Sequence, residues 1–157
     1  MKNSEGYNVT KMSYKVLLSL ILCIVLLSFS HIGKSQENSI NITVKNIKEP
    51  KGNLLVSLYY NVTDFLKEGK EFRKQKVKVT DTIVHCSFKH LPKGSYGVAI
   101  YQDVNDDGKC NKNFLGIPKE GFGFSKNHRP ILLPPSFNDV KLELDKDQSI
   151  IINLIYF

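Results

Sequence analysis

The sequence has little cysteine and no arginine-rich patch, and each shortage excludes a class of function. Only three cysteines occur in the 157 residues, and none belongs to a Cys-x-x-Cys pair, which argues against a zinc site or a catalytic thiol. Cys86 alternates with inward-facing residues and Cys110 falls in a loop, so free thiols are expected even though export would permit a disulfide. The net charge of +7 is spread along the chain, without arginines interleaved with aromatics, so no nucleic-acid binding is expected.

Long apolar runs are also missing, except for one at residues 16–29. A basic segment precedes this run and small residues follow it, which predicts a secretory signal peptide over residues 1–35, with a helical apolar core and cleavage after Ser35. Met12 is an alternative start. The run is shorter than the ~20 residues of a membrane span, and an uncleaved anchor is the alternative. The expected location is therefore outside the cytoplasm: periplasmic, outer-envelope or secreted.

The remaining residues, 36–157, are predicted to form one all-β domain. Apolar alternation between turn residues predicts about seven short strands, with no amphipathic helix. The expected ranges are 39–47, 54–61, 76–80, 82–90, 96–102, 137–144 and 149–156. An antiparallel Greek-key sandwich, transthyretin-like or immunoglobulin-like, is the economical interpretation.

The fifth predicted strand has two features that place it in the fold. Residues 96–102 are apolar on both faces, which indicates a central strand. Pro92 and Gly94 come just before Tyr96, and this order is typical of a corner where a tyrosine hydroxyl bonds to the backbone while its ring joins the core.

Oxygen-bearing side chains recur at alternate positions directly after this strand, with Gly108 at the sixth position of the series. This spacing is typical of the first part of an EF-hand calcium loop. The expected ligands of one Ca²⁺ are Asp103, Asn105, Asp107, the Lys109 carbonyl, Asn111 and Glu120.

The match to an EF-hand is incomplete. Position 12 is Phe114, where an EF-hand has a bidentate glutamate. Glu120 is the expected substitute, because Gly116 and Pro118 can fold the segment back. The alternative is a metal-free loop in which the Asp and Asn side chains bond to backbone groups as Asx turns, with Gly108 at positive φ.

The full predicted loop, residues 103–135, is long for so compact a domain, and loops of this length are usually functional. Its apolar content indicates an ordered segment. Phe114, Phe122 and Phe124 are either exposed anchors for a partner or a plug for one end of the sandwich. The plug is favoured, because exposed apolar patches are uncommon without a partner.

Residues 91–127, LPKGSYGVAIYQDVNDDGKCNKNFLGIPKEGFGFSKN, resemble the bacterial exported proteins of the domain of unknown function 2141 family. The resemblance extends over the mature chain and implies a transthyretin-like or prealbumin-like seven-stranded sandwich, without an established biochemical role. The sequence departs from the family pattern at Gly97, usually Ala, at Cys110, usually apolar, and at Asn111, usually Asp. The last change removes one negative charge from the candidate calcium loop.

These observations together predict an exported, non-enzymatic protein that acts as a binding or envelope-associated module. Its loop would hold one Ca²⁺ that stiffens the loop, and its partner would be an envelope protein, a peptide or a glycan. The rival hypothesis is a hydrolase that uses Glu120, Ser125 and His128, since these residue types can form a catalytic triad. The sequence has no nucleophile-elbow pattern to support it.

Overall fold

Residues 37–114, 116–131 and 133–157 are described by a computed structural model of the chain. The predicted signal peptide, residues 1–35, lies outside these ranges. Within them, no helix combines the length and apolar character needed to cross a membrane.

The described residues form eight strands and very little helix, which confirms the predicted all-β class. The strands are β1 (Asn38–Lys45), β2 (Asn53–Tyr59), β3 (Arg73–Lys78), β4 (Val84–Leu91), β5 (Gly94–Asp103), β6 (Phe122–Phe124), β7 (Leu142–Leu144) and β8 (Gln148–Asn153).

The strands form two sheets. One has three strands in the order β4-β1-β8, and the other has five, in the order β3-β2-β5-β6 with β7 also pairing with β5. Neighbouring strands are antiparallel except for β1 and β8, which run parallel from Ile40 opposite Gln148 to Lys45 opposite Asn153. The prediction of a wholly antiparallel arrangement is therefore wrong for this pair.

The main core lies between the sheets and is built from the alternating apolar residues that predicted the strands. Ile40, Ile42 and Val44 of β1 are all buried and belong to one cluster with the inward residues of β2, β5 and β8. Every residue of β2 is buried. It lies between β3 and β5, its inward residues belong to the main core, and Phe65 packs edge to face on Tyr59 at 5.3 Å. The predicted central position of residues 96–102 is also confirmed, since β5 pairs with β2 on one edge and with β6 and β7 on the other.

The segment predicted as a strand over 137–144 is divided in two. Its first half is a short helix, α1 (Phe137–Val140), and only Leu142–Leu144 forms a strand. The Asp139 carboxylate accepts hydrogen bonds from the backbone N–H of Ser136 (2.8 Å) and from its hydroxyl (2.7 Å). This capping box begins the helix. Phe137 and Val140 lie three positions apart, on the same side of the helix, and both are buried.

Two local predictions are confirmed. The Tyr96 hydroxyl donates a hydrogen bond of 2.9 Å to the Pro92 carbonyl, and the residue has no exposed surface. Cys86 and Cys110 are both free thiols and half-buried. Burial raises the pKa of the Cys86 thiol to about 11, so the thiol is protonated near neutral pH and weakly nucleophilic.

Candidate functional site

The candidate calcium loop begins at the last residue of β5, where Asp103 lies opposite Asn53 of β2. Asp103 is fully buried. Its carboxylate accepts hydrogen bonds from the backbone N–H of Asp107 (3.1 Å) and of Gly108 (2.8 Å). A buried carboxylate that accepts two backbone bonds fixes the turn that follows it, and Gly108 takes the positive φ of 76° expected for it.

Glu120 returns to the start of the same loop. One of its carboxylate oxygens accepts a hydrogen bond from the backbone N–H of Val104 (3.0 Å), and the other accepts one from Asn111 (3.1 Å). Only 9% of its surface is exposed. The sequence predicted that the chain would fold Glu120 back, and here its carboxylate joins the two ends of the turn through backbone donors.

Asn105, Asp107 and Asn111 form a separate, exposed group of side chains. Both side-chain amides donate to the same oxygen of Asp107, at 3.0 Å from Asn105 and 2.9 Å from Asn111. The Lys109 backbone N–H donates to the other oxygen at 2.9 Å. These bonds, that from Asn111 above all, hold the pKa of Asp107 below its usual range. The group is therefore a ring of donors around one ionised carboxylate.

The six residues proposed as calcium ligands thus lie in one loop but do not all face one point. The Asp103 and Glu120 carboxylates are committed to backbone N–H groups, whereas Asn105, Asp107 and Asn111 converge. For a cation to bind there, the two amides would have to rotate and present oxygen in place of N–H. Within the described residues, no three acidic, histidine or cysteine side chains are grouped as a metal site.

Asp106 contributes to the loop although its position is out of step with the calcium spacing. Its carboxylate accepts hydrogen bonds from the Lys76 ammonium (2.5 Å) and the Asn53 side-chain amide (2.9 Å). The Lys76 bond is the main cause that lowers the pKa of Asp106. Through these two hydrogen bonds, Asp106 attaches the loop to β2 and β3. Asp106 falls outside the alternating calcium spacing, so that spacing does not predict a role for it. In the sequence, only the lysines of β3 indicate a partner for its carboxylate.

A short hairpin extends the loop outward from Asn111. The Lys119 backbone N–H donates to the Asn111 carbonyl (2.8 Å), and that of Asn113 donates to the Ile117 carbonyl (2.8 Å). Gly116 takes a φ of 78° near the tip. Residues 111–114 and 116–119 are therefore joined by paired backbone bonds and rest on the Glu120 contacts; we call these residues the tip hairpin.

The three phenylalanines of the loop have different environments. Phe122 and Phe124 are buried and pack edge to face, with ring centres 5.9 Å apart. They belong to a second cluster with Ala99 and Tyr101, on the face of β5 away from the main core, so they face inward as predicted but do not plug one end of the sandwich. Phe114, in the tip hairpin, is 95% exposed, so the plug prediction is wrong for this residue. Its ring is exposed to water on a segment whose two sides are joined by backbone hydrogen bonds.

The residues of the rival hydrolase hypothesis each have other partners. The Ser125 hydroxyl is fully buried, donates to the Val140 carbonyl (2.6 Å) and accepts from the Val98 N–H (3.0 Å). The Glu120 carboxylate binds the backbone as described above. The pKa of Asp139 is lowered mainly by its two hydrogen bonds from Ser136, and His128 lies close enough to contribute to the same shift. No hydrogen bond joins the side chains of Ser125, His128 and Glu120 in the described part of the chain, so the structure does not assemble this triad.

Comparison with known proteins places the chain in a family. A family model described as "Uncharacterized protein conserved in bacteria (DUF2141)" matches residues 42–152, which is more than half of the chain. Comparisons with curated proteins and with solved structures produced no match. The matched range includes the whole candidate loop, six of the strands in full (β2 to β7) and most of β8.

Proposed function

The chain belongs to the bacterial family DUF2141, and on that premise we propose that it is an exported, non-enzymatic binding module that presents the tip hairpin to a partner in the cell envelope. The exposure of Phe114 on a hydrogen-bonded hairpin carries this proposal. The signal-peptide pattern of residues 1–35 supports export, and the separate engagement of Ser125, His128 and Glu120 supports a role without catalysis.

A rigid support is what makes one exposed ring useful for binding. Asp103 and Glu120 together accept four backbone hydrogen bonds at the base of the hairpin. A loop that is ordered before it meets its partner loses less conformational entropy on binding, and aromatic anchors contribute strongly to binding energy at interfaces. An envelope protein, a peptide or a glycan could each cover the exposed face of the Phe114 ring.

The test compares the truncation of two exposed apolar side chains, one in the tip hairpin and one beyond the far end of β2. Phe114→Ala removes the anchor, whereas Val62→Ala removes a 61% exposed side chain just beyond the other end of that strand. Binding of the purified protein to isolated cell-wall glycan and to washed envelope membranes is measured by co-sedimentation. Phe114→Ala should weaken binding about 30-fold, as expected for loss of an aromatic anchor of ~2 kcal/mol. Equal binding by both variants, or no binding by the unmodified protein, would contradict the proposal.

We further propose that Ca²⁺ stabilises the loop, because Asn105, Asp107 and Asn111 converge on one point. A loop so incomplete by EF-hand standards should have a Kd of ~10⁻⁴–10⁻³ M, as extracellular calcium modules do. At 10 mM Ca²⁺ a site of that affinity adds about 1.4–2.7 kcal/mol to the free energy of unfolding. Such a gain raises the Tm by several degrees.

The calcium test measures the Tm with Ca²⁺, with Mg²⁺ and with chelator. Asp107→Asn should abolish the calcium response, while Asp145→Asn, an exposed acidic residue between β7 and β8, should keep it. A Tm that is the same in 10 mM Ca²⁺ and in chelator would show that the loop is held by its own hydrogen bonds alone. Because Phe114 is absent from the expected ligands, this result leaves the binding-module test independent.

A further inference from the structure

A cleft of about 330 Å³ lies where the parallel strands β1 and β8 end side by side. We propose that it binds a small ligand carrying an oxyanion group, of the acidic-sugar class. The lining residues that support this proposal are Asn46, Lys48, Asn127, Arg129, Asn153 and Tyr156. Its volume lies near the lower end of ordinary small-molecule sites, ~300–1,000 Å³.

The charge of the cleft is one-sided. Lys48 and Arg129 line it, and none of the described residues that line it carries a carboxylate. Among the residues that the structure describes, neither cation belongs to an ion pair. Glu49, next to Lys48 in sequence, pairs instead with Lys51 at 2.8 Å. An uncompensated guanidinium and ammonium in one concave surface attract and bind carboxylate or phosphate oxygens.

The Lys48 ammonium is held in place by the cleft itself. It lies 4.4 Å from the centre of the Tyr156 ring, within the range of a cation–π contact. The Tyr156 hydroxyl in turn accepts a hydrogen bond from the Lys48 backbone N–H (3.1 Å) and donates one to Gln102 (3.3 Å). The charge is therefore positioned before any ligand arrives.

Three asparagine amides add further donors. Asn46 donates to the Leu154 carbonyl (2.6 Å), Asn127 donates to the Ile151 carbonyl (2.9 Å), and Asn153 donates to the Asn127 side-chain oxygen (3.2 Å). Each bond uses one of the two N–H groups of a primary amide and anchors the side chain. The second N–H of each amide is the one that a ligand can use, so the cleft is rich in donors.

The backbone of the cleft is unusual in a way that fits a binding site. Asn46 and Asn127 have positive φ values of 61° and 52°, and Lys126, next to Asn127, has 59°. Non-glycine residues seldom adopt this region, and asparagine does so more readily than most. Such conformations cluster at ligand sites, and here they occur at two of the three asparagines that line the cleft together with the two cations.

The donors that line the cleft also indicate what the rest of the ligand is. The Arg129 guanidinium and the Lys48 ammonium can bind one oxyanion, whereas the asparagine amides can bind hydroxyl groups. A sugar acid and a sugar phosphate both combine these groups. The shared chemistry is a hydroxylated body with one oxyanion, and the experiment separates the two sources.

The test follows the side-chain amide signals of the asparagines by two-dimensional NMR at constant ionic strength. The purified protein is titrated to about 20 mM with glucuronate, glucose 1-phosphate, inorganic phosphate and neutral glucose, a range that detects millimolar affinity. We expect saturable shifts of the Asn46, Asn127 and Asn153 amides with at least one sugar oxyanion and none with glucose. A response to glucuronate alone assigns the carboxylate source, and a response to glucose 1-phosphate assigns the phosphate source.

Three variants separate this site from general attraction to a basic protein. Arg129→Gln and Lys48→Gln should each weaken binding about tenfold or more, the effect of losing a charge-assisted hydrogen bond. Lys93→Gln removes the same charge from the corner before β5, at the opposite end of the three-stranded sheet, and should leave binding unchanged. The proposal is overturned if Lys93→Gln weakens binding as much as the cleft variants, if glucose shifts the amides equally, or if no ligand gives a saturable shift.

Discussion

Ser125 is buried between β5 and α1, where its hydroxyl connects a backbone group of each element. It accepts from the Val98 N–H and donates to the Val140 carbonyl. Ser125 is the nucleophile of the rival hydrolase hypothesis, but burial and these two bonds assign it a structural task. The hydroxyl therefore contributes to stability through the cost of leaving its partners unpaired.

Ser125→Ala should lower the free energy of unfolding by about 1–3 kcal/mol, the cost of an unsatisfied buried backbone group. Urea denaturation measures this loss. Ser149→Ala provides the control, because Ser149 is exposed on β8. If the two variants are equally stable, the Ser125 hydroxyl does not hold β5 and α1 together.

Tyr96→Phe tests the corner before β5. The ring stays buried and only the bond to the Pro92 carbonyl is lost, so the free energy of unfolding should fall by about 0.5–1.5 kcal/mol. Tyr60→Phe is the matched control, since Tyr60 is 44% exposed. Thermal or urea unfolding distinguishes the two, and a larger loss for Tyr60→Phe would contradict this account of the corner.

Two glycines, one at the end of the loop and one in β5, allow aromatic rings to pack closely against the backbone. A Cβ at Gly121 would lie 2.6 Å from the Tyr156 ring, whereas one at Gly97 would lie 3.2 Å from the rings of Phe65 and Phe137. The first distance is too short for any carbon contact. The second is tight, and small ring movements can relieve it.

Gly121→Ala should therefore destabilise the protein by about 1–3 kcal/mol, as overpacking does, and displace Tyr156 from the cleft. Gly97→Ala should cost less, because its neighbours can shift by a few tenths of an ångström. Denaturation curves rank the two variants, and tyrosine ring signals in NMR report the displacement. Equal destabilisation would mean that the Tyr156 ring moves aside freely.

The strands were largely predictable because burial on one face imposes an alternating pattern that the sequence shows directly. The predicted strand over 137–144 rested on the alternation of Val140, Leu142 and Leu144, which does not reach back to Phe137. Phe137 and Val140 are three apart, a spacing that suits a helical turn and not one face of a strand, and the Ser136–Asp139 capping box begins that turn. β6 has only three residues, too few to show alternation. The parallel partner of β1 could not be read from any pattern, since alternation looks the same in either direction.

The candidate loop was predictable in position but not in its bonding. The spacing of acids and amides identified the segment, and Gly116 and Pro118 indicated that Glu120 could return to it. The partners of the Asp103 and Glu120 carboxylates are backbone N–H groups, which every residue except proline carries. Residue types therefore gave no signal for these contacts.

For the whole molecule, the raised pKa values of two tyrosines and one cysteine make the free energy of unfolding fall at alkaline pH. Burial raises the pKa of Tyr59 and of Tyr101 to about 12 and that of Cys86 to about 11, with nearby acidic groups adding to the shift at both tyrosines. The folded protein keeps these protons at pH values where the unfolded chain has released them. The resulting stability is fully present below about pH 9 and is lost as pH rises toward 12.

Urea denaturation at pH 8, 9.5 and 11 should show a steadily falling free energy of unfolding. Cys86→Ala removes the thiol's share, so its stability should fall less steeply between pH 9.5 and 11. Stability that is constant or rises over this range would show that these groups titrate alike in the folded and unfolded states.

The parallel pairing of β1 with β8 has a consequence for the order in which the molecule takes shape. β1 is the middle strand of its sheet, and one of its two neighbours is supplied more than 100 residues later in the chain. A chain that emerges from a ribosome or a membrane channel with its N-terminus first can pair β1 only with β4 until residues 148–153 arrive. Contacts so distant in sequence also slow folding. This topology delays completion of the three-stranded sheet until nearly the whole domain has been made.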